Sequence, residues 1–203
     1  MRKFPKLTHK EFDILKKLDS PAKIQDFLEK IPINFRNTYR SPLLALKLNE
    51  AHCLEGAFLG AAALWHNGMK PLLLDLKTDG YDEDHVVAIF KKSGYWGALT
   101  KTNHAVLRYR DPVYKTVREL AMSYFNEYFL DDGEKTLRGY SAPFDLLKFG
   151  DRWLTSKKSL WRISKALDDS PHFKMAPNIA SRLRPADPIE IKAGKLVRWR
   201  KRR

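Results

Sequence analysis

Cysteine is almost missing from this chain: Cys53 stands alone among 203 residues. One cysteine excludes an internal disulfide and suits a reducing compartment. Long apolar runs are missing too, and none approaches the roughly 20 residues that a membrane-spanning helix needs. The opening MRKFPKLTHK carries no apolar leader core, so the expectation is a cytoplasmic protein that is neither secreted nor membrane-spanning. Acidic residues are scarce, 24 Asp and Glu against 38 Lys and Arg, for a net charge of +14. The shortage is local. Residues 1–150 hold 23 basic against 19 acidic side chains, whereas the remainder holds 15 against 5. The excess therefore belongs to the C-terminal quarter and says little about the rest. No internal repeat and no second domain stand out.

The composition that remains, 43% apolar and 31% charged, is that of a globular domain with a proper core. Thr8 with Glu11 has the form of a capping box, and Phe12, Leu15 and Leu18 follow on one face, so a first short helix is expected. Ser20-Pro21 and Ser41-Pro42 each join an N-cap to a first-turn proline and open two more helices. The run INFRNTYR between them reads as a solvated loop. From Ala51 to Gly68 the chain is apolar nearly all round. That predicts a buried helix in which Gly56 and Gly60 admit a close neighbour. Three β-type runs follow: Leu72 to Leu76, Val86 to Phe90 and Tyr95 to Thr100, the last two joined by Ser93-Gly94 as a hairpin. A helix over about Val113 to Phe129, a turn-rich wrap and a last helix around Trp161 complete an α+β domain spanning 1–170. Residues 171–203 read as a basic, proline-containing extension separable from the chemistry.

Within this frame, Cys53 opens the apolar helix and His85 opens a strand. A helix N-terminus and a neighbouring imidazolium both favour a thiolate. A lone cysteine on an apolar helix is otherwise a small buried hydrophobe. What turns the reading toward a nucleophile is its place at the helix start, with a histidine and a hairpin downstream. Pairing about Ser93 sets His85 opposite Lys101 or Thr102, beside Asn103. The resulting set is Cys53 as nucleophile, His85 as base and Asn103 as the group orienting the ring, with Thr100, Thr102 and Asp111 as alternatives to Asn103. His52 adjoins Cys53 but points elsewhere on the helix. His66 and His104 have no comparable partners. The acids Asp79, Asp82, Glu83 and Asp84 precede His85 on a loop where solvation is the ordinary explanation, so neither a metal nor a cofactor is expected.

The span from Cys53 to Asn103 resembles the transglutaminase-like branch of the papain-like superfamily. A cysteine opens an Ala/Gly-rich helix ending in glycine, a strand follows, a histidine opens the next strand, and a Trp-bearing strand comes after a Gly turn. Ala51-His52 stand where the family has glycine, Val86-Val87 where it has an aromatic residue, and Thr100 where it has an aspartate. The resemblance implies a buried Cys-bearing helix on a small antiparallel sheet. It also implies acyl transfer from a protein, peptide or small amide or ester, with backbone N–H groups at the helix start holding the oxyanion. The alternative is a non-catalytic binding protein of the same fold. In that reading Arg182, Arg184, Lys192, Lys195, Arg198 and Arg200 to Arg203, with Trp199, meet nucleic acid or another polyanion.

Overall fold

The computed structural model describes residues 2–175 and 183–197. The described residues form a mixed α+β fold built on one seven-stranded antiparallel sheet. In chain order the strands are β1 (Leu72–Thr78), β2 (His85–Lys92), β3 (Tyr95–Leu99), β4 (Arg110–Tyr114), β5 (Leu137–Ser141), β6 (Phe144–Asp145) and β7 (His172–Lys174). Across the sheet they run β4-β3-β2-β1-β5-β7, with β6 paired to β1. The sheet is larger than the three expected strands because Arg110–Tyr114 forms β4, the turn-rich wrap supplies β5 and β6, and the residues after Pro171 supply β7.

Helices cover one face: α1 (Pro21–Lys30), α2 (Pro42–Leu48), α3 (Cys53–His66) and α5 (Trp161–Asp168). Leu73, Val86, Ala88, Phe90 and Leu99 meet them there. The other face presents Leu74, Leu76, Val87, Ile89 and Ala98 to α4 (Val117–Met122) and to Tyr124, Tyr128 and Met175. Alternation along the strands thus feeds two cores. Helix starts are legible as caps: Ser20 and Ser41 side chains accept from the amides of Lys23 and Leu44, each ahead of a first-turn proline. Asn49, at φ 51°, ends α2 in the left-handed conformation. Ser93 and Gly94 both have positive φ, the turn geometry that matches strand twist in a two-residue hairpin.

Three expectations are corrected. The first helix is a 3-10 helix over Lys10–Lys17, capped by His9 without the Thr8 box. Its apolar residues Phe12, Leu15 and Leu18 recur every third position, which is the 3-10 period. The helix expected over Val113 to Phe129 is divided into β4, α4 and a 3-10 turn at Phe125–Glu127. Pro112 holds Asp111 extended, and Thr116 starts α4 by accepting from the Glu119 amide at 3.1 Å. Nor does the chain detach after residue 170. The strand β7 extends the sheet, Met175 and Ala186 are buried, and α6 (Pro188–Gly194) lays Gly194 against the Phe129 ring. The Leu196 carbonyl accepts from the Ala105 amide at 2.9 Å, and Val197 bridges to His104. Of the basic cluster, Arg182 and residues 198–203 lie outside the described residues. Among the described residues, no helix is long and apolar enough to cross a membrane.

Candidate active site around Cys53 and His85

The helix α3 carries Cys53 in its first turn and lies over β2 because its own residues are small there. A methyl group added at Gly56 would stand 2.2 Å from Cβ of Lys101, and one at Gly60 would stand 3.3 Å from Leu99 and 3.4 Å from Ala88. The glycines therefore set the depth at which the Cys53 turn rests on the sheet.

That turn is anchored by a residue the sequence reading passed over. Glu55 has no solvent exposure. It accepts from Asn34 Nδ2 at 2.9 Å, Thr38 Oγ1 at 2.7 Å, the Arg40 amide at 3.0 Å and the His52 amide at 3.3 Å. A buried carboxylate is tolerable only with such partners. The INFRNTYR segment is therefore stitched onto the start of α3 through Asn34, Thr38 and Arg40, while Phe35 to Asn37 between them is exposed, as a solvated loop is. His52 Nε2 meets the Thr38 carbonyl, which commits that ring to the loop and takes it out of contention as a base for Cys53. His66 packs edge-on to Phe4, and His104 Nδ1 bonds the Gly194 carbonyl at 3.0 Å.

His85 sits where the sheet runs out. The β2–β3 ladder stops at Ala88 with Leu99, so His85 to Val87 have no strand partner on that side. Beyond Leu99 the side-chain amide of Gln25 takes over as partner. It accepts from the Thr100 amide at 3.0 Å and donates to the Thr100 carbonyl at 3.1 Å. Gln25 too was overlooked, hidden within the apolar stripe of α1. Thr100, so fixed, brings Oγ1 to 2.8 Å from His85 Nε2.

The group holding the ring is thus Thr100, one of the alternatives to Asn103. No hydrogen bond joins Asn103 to His85 among the described residues. Thr102 Oγ1 accepts from the His104 amide at 3.1 Å, and Asp111 is engaged by the Tyr109 hydroxyl. The structure therefore brings His85 and Thr100 together, and among the described residues no hydrogen bond joins Asn103, Thr102 or Asp111 to the ring.

Cys53 is half-buried. The amides of Val86, the residue after His85, and of Leu54 act on its sulfur and favour the thiolate. Burial outweighs them and pushes the thiol up. No hydrogen bond links the thiol to the His85 ring. Burial likewise pushes His85 down to about 4, with His104 acting in the same direction. At neutral pH both groups are therefore uncharged, and a threonine hydroxyl, unlike a carboxylate, does nothing to draw a proton onto the imidazole.

Of the four acids before His85, Glu83 is exposed as expected, while the other three are engaged by the protein. Asp79 pairs with Arg138 at 3.0 Å, and Asp82 accepts from Thr136 Oγ1 at 2.7 Å. Asp84 accepts from the Thr78 amide at 2.8 Å and pairs with Lys77 at 2.7 Å.

A scan against protein-family models finds no match to this chain, and a search of curated proteins returns no relative.

Proposed function

We propose that this chain is a thiol-dependent acyl-transfer enzyme of transglutaminase-like type, with Cys53 as nucleophile, His85 as base and Thr100 as the group that orients the ring. The observation that carries the reading is the His85 Nε2 to Thr100 Oγ1 bond of 2.8 Å. It lies at the open end of the sheet, next to the Val86 amide that acts on the Cys53 sulfur. With Nε2–H donating to Thr100 Oγ1, the lone pair of His85 resides on Nδ1, which carries no protein hydrogen bond among the described residues and is free to take a proton.

The proton moves only as the bond forms. Sγ of Cys53 attacks an amide or ester carbonyl while its proton passes to Nδ1 of His85. The carbonyl oxygen takes the electron pair of the broken π bond, and the Cys53 amide in the first turn of α3 is the donor available to it. Collapse re-forms the carbonyl and expels the amine or alcohol with the proton from His85, leaving a thioester. Water or an amine then attacks the thioester, gives its proton to His85, and Cys53 leaves and recovers it. Water makes the enzyme a peptidase, amidase or deamidase, and an amine makes it a transglutaminase.

The hydroxyl of Thr100 in place of a carboxylate favours a second reading, a binding protein on the same fold. One experiment separates them. The chain is labelled at neutral pH with an iodoacetamide probe, and the site is located by mass spectrometry in wild type, Cys53→Ser, His85→Ala and Thr100→Val. The enzymatic reading expects labelling at Cys53 that slows in His85→Ala and Thr100→Val. Labelling that is indifferent to His85 leaves the binding reading standing.

A further inference from the structure

A second cluster lies on the helix-covered face. Asp75 of β1, Asp84 before β2 and Asp168 at the end of α5 offer carboxylate oxygens that all lie within 4.8 Å of one another. Asp75 is 3% exposed, and its Oδ1 has no hydrogen-bond partner. Its Oδ2 meets His172 Nε2 at 3.1 Å. A buried carboxylate oxygen with no partner costs the full desolvation of that atom. It sits on a central strand, so it cannot swing out to relieve the cost.

One cation already stands at the cluster. Lys77 Nζ pairs with Asp84 at 2.7 Å and also with Asp168. It pairs with two of the three carboxylates and leaves Oδ1 of the buried one without a hydrogen-bond partner. Its side chain is 38% exposed and Asp168 is 57% exposed, so the ammonium has a way out and an ion has a way in.

We propose that Asp75, Asp84 and Asp168 bind one hard divalent cation, of the calcium, magnesium or manganese kind, which exchanges with the Lys77 ammonium. Three carboxylates with room for water on the open side are the donor set such ions take. Softer ions are disfavoured because the one imidazole nearby is already spoken for. His172 Nδ1 bonds the Ser170 carbonyl at 2.6 Å and its Nε2 bonds Asp75. The ring thereby orients the Asp75 ligand from outside the coordination shell. Bound there, the ion joins β1, the end of the β1–β2 loop and the end of α5. The inference stands apart from the acyl-transfer reading, since its readout is binding.

The test is isothermal titration of the chelator-stripped full chain with calcium, magnesium and manganese chlorides in turn, with manganese also followed by electron paramagnetic resonance. One saturable site is expected for at least one of these ions. It is expected to disappear in Asp75→Asn and in Asp168→Asn, to persist in the control Asp26→Asn, and to tighten by about tenfold in Lys77→Met, where the competing charge is gone. Asp168 is exposed, so its variant decides the matter if Asp75→Asn does not fold. Absence of saturable binding for all three ions up to about 10 mM overturns the proposal. So does binding that survives loss of Asp168, or binding that Lys77→Met leaves no tighter.

Discussion

Gly56→Ala and Gly60→Ala are chemically the same change, one turn apart on α3, and the fold separates them. Alanine is worth about 1 kcal/mol more than glycine inside a helix, and Gly60 is open enough to collect much of that. Its added methyl would meet Ala88 Cβ at 3.4 Å and Leu28 Cδ1 at 3.5 Å, both ordinary contacts, and Leu99 Cδ1 at 3.3 Å, a tight one that the end of the leucine side chain relieves by shifting a few tenths of an ångström. The methyl at Gly56 would stand 2.2 Å from Lys101 Cβ and 2.8 Å from its Cγ. A Cβ is fixed by its backbone, so no rotation of Lys101 relieves the clash. The lysine is further held by Nζ donating to the Ile31 carbonyl at 2.6 Å. Overpacking of this kind costs about 1–3 kcal/mol, occasionally more, which exceeds the helical gain. Urea denaturation at pH 7 is expected to show Gly56→Ala less stable than wild type by about 1–2 kcal/mol and Gly60→Ala between neutral and about 1 kcal/mol more stable. Because Lys101 follows Thr100, relief of the clash also shifts the His85 partner, and thiol labelling of Gly56→Ala is expected to depart from wild type. A Gly56→Ala protein as stable as Gly60→Ala refutes the account of how α3 rests on the sheet.

Four further outcomes follow from the same contacts. Burial holds His85 neutral with its ring near 4 in place of the usual 6.5, so its contribution, up to about 3 kcal/mol, is present above pH 6.5 and lost as pH falls toward 4; a wild-type stability profile no steeper there than that of His85→Gln contradicts this. Thr100→Asp puts a carboxylate on Nε2 and is expected to raise the His85 ring, read by NMR titration of the imidazole, and an unmoved titration rejects Thr100 as its partner. Glu55→Gln keeps the shape but turns an NH2 toward donors that need an acceptor, at a cost of about 2 kcal/mol by thermal or urea unfolding; an unchanged midpoint argues against the buried network. Deleting residues 195–203 removes the Leu196 carbonyl from the Ala105 amide, so that amide is expected to exchange hydrogen faster, and equal protection shows that the pairing is not held in solution.

The sequence disclosed those parts of the fold that are set locally. Ser20-Pro21, Ser41-Pro42 and Ser93-Gly94 fix backbone angles within a few residues, and the apolar run after Glu55 points to a buried helix. What it concealed depends on partners far along the chain. Glu55 reads as an ordinary first-turn acid until Asn34 and Thr38 fold over it. Gln25 reads as a polar interruption of α1 until Thr100 arrives 75 residues later to use both ends of its amide. Hairpin register points to Asn103 ahead of Thr100, but it does not say how far a threonine hydroxyl reaches. β5 carries Gly139 at its centre and lacks a β-type run, and β7 is three residues long and gains its order from Gly139 to Ser141 alongside, so neither announces itself locally.

The way the sheet ends determines how a polypeptide can approach it. Strand addition needs a run of unpaired N–H and C=O groups. One rim, β4, contains Pro112 and pairs irregularly with β3; the other, β7, is three residues long. The remaining opening, past Leu99, is occupied by the Gln25 amide bonded to both backbone groups of Thr100. Neither rim therefore offers a further strand a long regular run of free backbone groups, and at Thr100 the Gln25 amide already takes the place of one.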